Sequence, residues 1–418
     1  MPSPLADPVK LPCGLVLPNR LSKAAMAELM AKTNHPTDNL LDAYEQWAQG
    51  GWGSILTGNI QIDVDHLGSP YDTAMHAEYT GDTALVSQWK KYADTCQKHG
   101  TPAIAQLCHP GRQSFRVAGR RGIFAQTLAP SEVPVRLGDG LLQRFVAALA
   151  WTAPREMTRA DIERVIRQFV DCARLMADAG FSGIELHGAH GYLIDQFLNS
   201  KTNLRTDEYG GPPEKRARFV LEIISEIRKV VPAKFCVGIK LNSADHSSAT
   251  FEDTMTQIKL LADAGIDFME ISGGTYEDPK MMGWPESSPP ATKSERTAAR
   301  EAFFLEFSKE VRRRLPGLVL MLTGGFRTRA GAESAIHDNA CDLIGIGRPA
   351  AIDARFPQLL LDESVPDEKA QLPLNKVSPP FFTRFLPLNI VGGGAESTFY
   401  ANQIHRLAKG IATYVPAL

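Results

Sequence analysis

The chain has 418 residues, 44% of them hydrophobic, with a formal net charge of −2 and an isoelectric point near 6.6. That length suits two average domains or one α/β barrel with insertions, and the apolar content is ample for a large core. The balanced charge offers no basic surface to nucleic acid or an anionic membrane, and no apolar run of about 18 residues marks a membrane span.

The opening MPSPLADPVKLPCG carries no apolar targeting stretch, so a cytoplasmic location is expected. The six cysteines (Cys13, Cys96, Cys108, Cys172, Cys236, Cys341) are scattered without a CxxC pair. That spacing argues against an iron–sulfur cluster, a zinc knuckle or a disulfide framework, and favours burial as small apolar side chains.

In chain order, Arg20 to Ala27 reads as a first strand, followed by a helix from about Asn39 to Gln49 that stops at Gly50-Gly51. Ser54 to Gly58 is a second expected strand. Asp82 opens an amphipathic helix to about His99, and Ala103 to Cys108 is a third strand, short and apolar as fully buried parallel strands are. From His109 to Glu156 the periodicity lapses into an Arg-, Gly- and Pro-rich stretch, too long for a plain connection. Thr158 is the expected N-cap of a long helix to Ala179.

Strands are then expected at Gly183–Leu186, Cys236–Leu241, Asp267–Ser272, Val319–Leu322 and Leu343–Ile346. They alternate with helices at Glu214–Val230, Phe251–Ala264, Glu295–Arg314 and Arg329–Asp338. Eight apolar strands interleaved with helices are the count that closes a (β/α)8 TIM barrel. The expected organisation is one barrel over residues 1–371, with excursions over its mouth at about 109–157 and 273–292. An extension over 372–418 carries one more helix near Glu396–Lys409, and either packs on the barrel or meets a second subunit, as in a homodimer.

In such a barrel the C-terminal ends of the strands carry the chemistry. Strand four runs into a glycine-punctuated loop with His187, His190 and Tyr192. Strand three ends at Gln106 and Cys108, and strand five at Lys240. Strands seven and eight end in Thr323-Gly324-Gly325-Phe326-Arg327 and Gly345-Ile346-Gly347-Arg348, glycine turns that precede helices. Backbone N–H groups exposed there, with the two arginines, make a phosphate site. A buried lysine needs an anion to face, so Lys240 beside a phosphate site suggests a phosphorylated planar cofactor.

These residues carry a resemblance. HGAHGYLIDQFLNS with the following N-x-R-x-D-x-YGG run, PNRL and AAM at the first strand, AQLCHPGRQS at the third, and TGGF and GIGRP at the last two resemble the Old Yellow Enzyme family of FMN-dependent ene-reductases. The likeness covers roughly residues 5–365 and is nearest to fungal-type members with a His/His pair. It implies that Ala25, Met26, Ala27, Gly58, Gln106, His187 and Lys240 surround the isoalloxazine ring. It also implies that Gly325, Phe326, Arg327, Gly347 and Arg348 hold the ribityl phosphate. NAD(P)H is the implied reductant. His187 and His190 would hold the carbonyl oxygen of an enone or enal, hydride would pass from flavin N5 to the β-carbon, and Tyr192 would protonate the α-carbon.

Two departures stand out. Ala27 occupies a position where the family often has Thr or Cys bonding flavin O4, and Lys240 replaces the usual arginine beside flavin N1. Cys108 stands where some members have a bulky aromatic over the substrate, which implies a roomier pocket. Two rival readings remain open at this point: a metal-dependent barrel hydrolase or isomerase ligated by His187 and His190, and a flavin-binding protein without turnover.

Overall fold

A computed structural model describes residues 3–76, 83–244, 250–272, 293–375, 377 and 389–416, with backbone only for 293–303 and 389–393. Its centre is a run of short parallel strands: β1 (Leu21–Lys23), β2 (Ser54–Gln61), β3 (Ala103–Cys108), β4 (Gly183–Gly188), β5 (Cys236–Asn242), β6 (Phe268–Ser272), β7 (Leu320–Thr323) and β8 (Leu343–Ile346). Each pairs with the next, and β8 pairs back onto β1, so the sheet closes into a barrel. The helices lie outside it: α1 (Asp38–Ala48), α2 (Thr83–Gln97), α3 (Arg159–Ala179), α4 (Pro213–Val230), α5 (Phe251–Asp263), α6 (Lys293–Arg314) and α7 (Arg329–His337).

The strand period of two sorts the side chains into two environments. Ile55, Ala105, Ile184, Leu186, Val237 and Ile239 face outward into one continuous core with the helices. Leu56, Ile104, Cys236, Phe268, Met321 and Leu343 face inward and fill the barrel floor under an N-terminal hairpin, Val9–Lys10 with Val16–Leu17. Above this floor the inward residues of β3 to β6 are polar: Gln106, Glu185, Lys240 and Glu270. One more step brings Cys108, His187, Asn242 and Ser272 to the mouth.

Local chemistry explains the element ends. Thr158 and Asp161 form a reciprocal capping box at the start of α3, and Gly180 ends it in the left-handed conformation at φ 95°. On β2 the register shifts between Leu56 and Asn59, and the Thr57 hydroxyl accepts the Gln106 N–H at 2.9 Å in place of a ladder bond. The freed Gly58 N–H donates to Glu28 Oε1 at 2.9 Å and to the Tyr44 hydroxyl at 2.8 Å.

Some expectations need correction. The first strand ends at Lys23 rather than Ala27: Ala24 N–H still donates to Ile346 O at 3.0 Å, after which the chain leaves the ladder for the mouth. The first excursion contains a helix, Leu141–Ala150, and a small parallel pair, Leu128–Ala129 with Arg155–Glu156. The second excursion lies outside the described residues. Beyond β8 come short helices α8 (Arg348–Ile352) and α9 (Phe356–Leu361), and then α10 (Asn389–Ala408), which starts earlier than the pattern suggested. Tyr400, Ala401 and Ile404 bury one face of α10 in the core it shares with α1 and α8. All six cysteines are free, and all but Cys13 are buried. Among the described residues no helix is long and apolar enough to cross a membrane.

Candidate active site

The mouth of the barrel gathers most of the residues singled out from sequence. His187 is the last residue but one of β4, and His190 follows at φ 60°, a left-handed conformation held by its own N–H bond to Asn242 Oδ1 at 3.2 Å. Asn242 is itself fixed, its Nδ2 donating to Asp195 Oδ2 at 2.9 Å, and the same oxygen accepts Gly191 N–H at 2.6 Å. This clamp shapes the loop so that the imidazoles meet, with His187 Nε2 and His190 Nδ1 3.3 Å apart. The Tyr192 ring lies 4.5 Å from that of His187, tilted by 30°.

Burial pushes both imidazoles down, His190 to about 3 and His187 well below its usual value; nearby Lys240 adds to the effect in each, and His190 adds to it in His187. At neutral pH both rings are neutral. A neutral imidazole carries one N–H, so each can donate one hydrogen bond and neither is a cation.

Beneath them sits a polar layer whose full extent the sequence did not reveal. Lys240 Nζ lies 3.1 Å from Glu270 Oε1 and 3.7 Å from Glu185 Oε1, and Gln106 Nε2 donates to Glu185 Oε1 at 2.7 Å. Burial alone would depress the lysine, but the two carboxylates outweigh it and raise it above its ordinary value. Glu185 is pushed well above the carboxylate range by burial and by Glu270, with Lys240 opposing. The anion that Lys240 was expected to need is thus partly supplied by the barrel. Cross-strand register explains this, because Lys240 pairs with both His187 and Glu270, and Gln106 with Glu185.

The remaining expected residues lie around this centre. Ala25 and Met26 are half-buried on the segment leaving β1, and Ala27 is exposed. Gly58 packs where a side chain could not go: a Cβ there would stand 2.0 Å from Glu28 Oε2. Cys108 is fully buried, its thiol donating to Asn59 Oδ1 at 3.2 Å. After β7, Gly324 and Gly325 both take positive φ, Phe326 packs against the core, and Arg327 donates to Leu374 O at 2.9 Å. After β8, Gly347 lies against Met26, and Arg348 Nη1 is 3.1 Å from Glu396 Oε2 on α10.

This donor set fits FMN. A lysine and a glutamine at the inner end match the ring's carbonyl-rich edge, and two arginines at glycine turns match a phosphate dianion. The buried Thr323 hydroxyl, without a hydrogen-bond partner among the described residues, lies beside the same turns. When bound, FMN supplies hydride-transfer chemistry.

The metal reading fares worse. An ammonium occupies the space between Glu185 and Glu270. Among the described residues, ligand atoms converge at Cys13/Cys236/Asp267 and at Asp63/His66/His109, and neither group includes His187 or His190. In the second group His109 Nδ1 accepts the Gly111 N–H at 3.0 Å, which puts the ring proton on Nε2 and makes it a donor rather than a ligand.

Comparison with known proteins agrees. The chain is 43% identical to an NADH-dependent flavin oxidoreductase of Hypocrea jecorina over 380 residues, 90% of this chain and 94% of that one. It is also 43% identical over 408 residues to a relative of the same description from Neonectria sp., covering 95% of this chain but only 53% of the other, about half its length. An old yellow enzyme homologue from Zymomonas mobilis shares the fold, with a TM-score of 0.68 at 23% identity over 90% of this chain and 98% of that one. The NADH:flavin oxidoreductase / NADH oxidase family model matches residues 4–367. The chain therefore belongs to that family, the Old Yellow Enzyme group, whose cofactor is FMN and whose reductant is NAD(P)H.

Proposed function

We propose that this flavin oxidoreductase is an ene-reductase acting on small α,β-unsaturated carbonyl compounds. The observation that carries the reading is the neutral His187/His190 pair, with inner nitrogens 3.3 Å apart and the Tyr192 ring tilted against His187. Two imidazole nitrogens so placed can both reach one carbonyl oxygen, and stabilising the enolate that develops there is worth several kcal/mol. Being neutral, the pair polarises the carbonyl by hydrogen bonding and leaves protonation of carbon to another group. A tyrosine, with an ordinary pKa of about 10, is protonated at neutral pH and suits that role. Bound FMN, once reduced by NAD(P)H, would supply the hydride chemistry for the β-carbon. His187 and His190 hold the oxygen, and Tyr192 gives its proton to the α-carbon.

The test is a visible spectrum of the purified protein, repeated under nitrogen after NADPH and then after cyclohexenone. Flavin bands that bleach with NADPH and return with the enone are expected. Bands that bleach but do not return until air is admitted would overturn the enone assignment while keeping the flavin.

A further inference from the structure

The protons of the histidine pair can be placed from its hydrogen bonds. His187 Nδ1 accepts the Ala189 N–H at 3.4 Å, so the neutral ring carries its proton on Nε2. That nitrogen faces His190 Nδ1 at 3.3 Å, which must therefore be the acceptor. His190, also neutral, then carries its proton on Nε2, which lies 2.9 Å from Ser272 Oγ on β6. The bonds thus run one way, from His187 through His190 to Ser272.

This arrangement is satisfied but not ready for an oxygen ligand. A carbonyl oxygen entering between the rings meets one N–H, from His187, and one lone pair, from His190 Nδ1. Its own lone pairs repel the second. The loop holds His190 in place, its backbone N–H bonded to Asn242 and Asn242 to Asp195. What can change is the tautomer. If one proton leaves His190 Nε2 to water and one arrives at Nδ1 from water, the ring stays neutral and both inner nitrogens become donors. The cost is a bare Nε2 in a buried site, which needs a donor of its own. A serine hydroxyl both donates and accepts, and its proton rotates to suit.

We propose that Ser272 is a positioning residue that lets His190 exchange tautomer as an oxygen ligand arrives, so that both histidines donate to it. Alanine at this site removes the donor; threonine keeps it. The inference rests on the ene-reductase reading for the ligand's identity, but its starting state does not.

The experiment is 15N NMR of the FMN-loaded enzyme labelled at histidine, with His190 signals assigned by their loss in His190→Asn. Without ligand, His190 should show a protonated Nε2 and an acceptor Nδ1. Saturating cyclohexenone on the oxidised enzyme should invert that pattern in the natural protein and in Ser272→Thr, but not in Ser272→Ala. The alanine variant should also bind the enone about tenfold more weakly, the scale of one lost hydrogen bond, with Ser272→Thr restoring it. Inversion in Ser272→Ala, or a protonated Nδ1 before any ligand is added, would overturn the proposal. If the enone moved neither histidine's signals in the natural protein, the carbonyl-holding reading would fail and ligand-driven exchange with it. The ligand-free spectrum would still judge the proton placement by itself.

Discussion

Tyr192 is set by its neighbours on two sides. Its ring leans on His187, and its hydroxyl converges with Asp72 Oδ2 and Gln61 Nε2 over the bare Cα of Gly68, where a methyl would stand 3.1, 3.2 and 3.2 Å from the three atoms. Replacing Tyr192 with Phe keeps the ring and removes only the hydroxyl that carries the proton. Stopped-flow measurement should then show enone reduction slowed by roughly 10²-fold or more, the usual scale for a lost general acid, with flavin reduction by NAD(P)H little changed. Equal slowing of both half-reactions would remove Tyr192 from the proton-donor role. Asp72 makes a second prediction. Burial lifts its carboxyl from 3.8 to about 7, against bonds from Gln61 and the Ser69 N–H that favour the anion. The folded protein therefore prefers the protonated acid. The associated stability is full below about pH 4 and is lost as pH rises through about 7, a swing of about 4 kcal/mol. Asp72→Asn should flatten that decline, seen as a Tm that falls less than the natural protein's between about pH 5 and pH 8. Parallel falls in the two proteins would show that Asp72 does not ionise in that range.

The elements were legible where burial imposes a pattern and obscure where it does not. Each barrel strand is a short apolar run because it is covered on both faces, and the capping box at Thr158 and Asp161 announces α3. The helix Leu141–Ala150 was missed for the opposite reason. It buries only Ala147 and leaves Leu141, Phe145 and Leu149 86%, 62% and 61% exposed, so its apolar residues do not mark a face packed on the core. At the site, His187, His190 and Tyr192 were readable because they lie close in sequence. Ser272 is 82 residues from His190, and Glu270 stands on a different strand from Lys240; closure and register bring them together, and neither is visible from spacing. Register also dictates Gly238. It faces inward on β5 between Cys236 and Lys240, where the Phe268 ring of β6 fills the place of its side chain, and a Cβ would stand 2.1 Å from Phe268 Cε1. Gly238→Ala should cost about 1–3 kcal/mol by overpacking, measured by denaturant unfolding, and adding Phe268→Leu should recover part of it. Strict additivity of the two substitutions would mean that they do not share this space.

At the scale of the whole molecule, the C-terminal extension is what pattern reading could place least, because one amphipathic helix fits under a barrel, over its mouth or against a second subunit equally well. In the folded chain α10 packs beside α1 and α8 and reaches two segments that rim the site. Its His405 Nε2 bonds Glu28 O at 2.8 Å on the loop leaving β1, and its Glu396 holds Arg348 after β8. Glu28 in turn accepts the Gly58 N–H from the middle of β2, so α10 is tied to the ends of β1 and β8 and to the register shift of β2. Arg348 is about a quarter exposed and Glu396 is nearly buried, so this pair fixes the arginine's direction more than it adds stability. If Arg348 meets the FMN phosphate, Glu396 orders it before the cofactor binds, and that preorganisation should show as affinity. Glu396→Ala should therefore weaken FMN binding to the apoprotein by about tenfold in fluorescence titration, with the unfolding midpoint of the apoprotein nearly unchanged. The alternative is that Glu396 mainly neutralises Arg348 and competes with the phosphate for it. Removing the carboxylate would then tighten FMN binding, and that single change of sign would recast α10 from a support of the cofactor site into a brake on it.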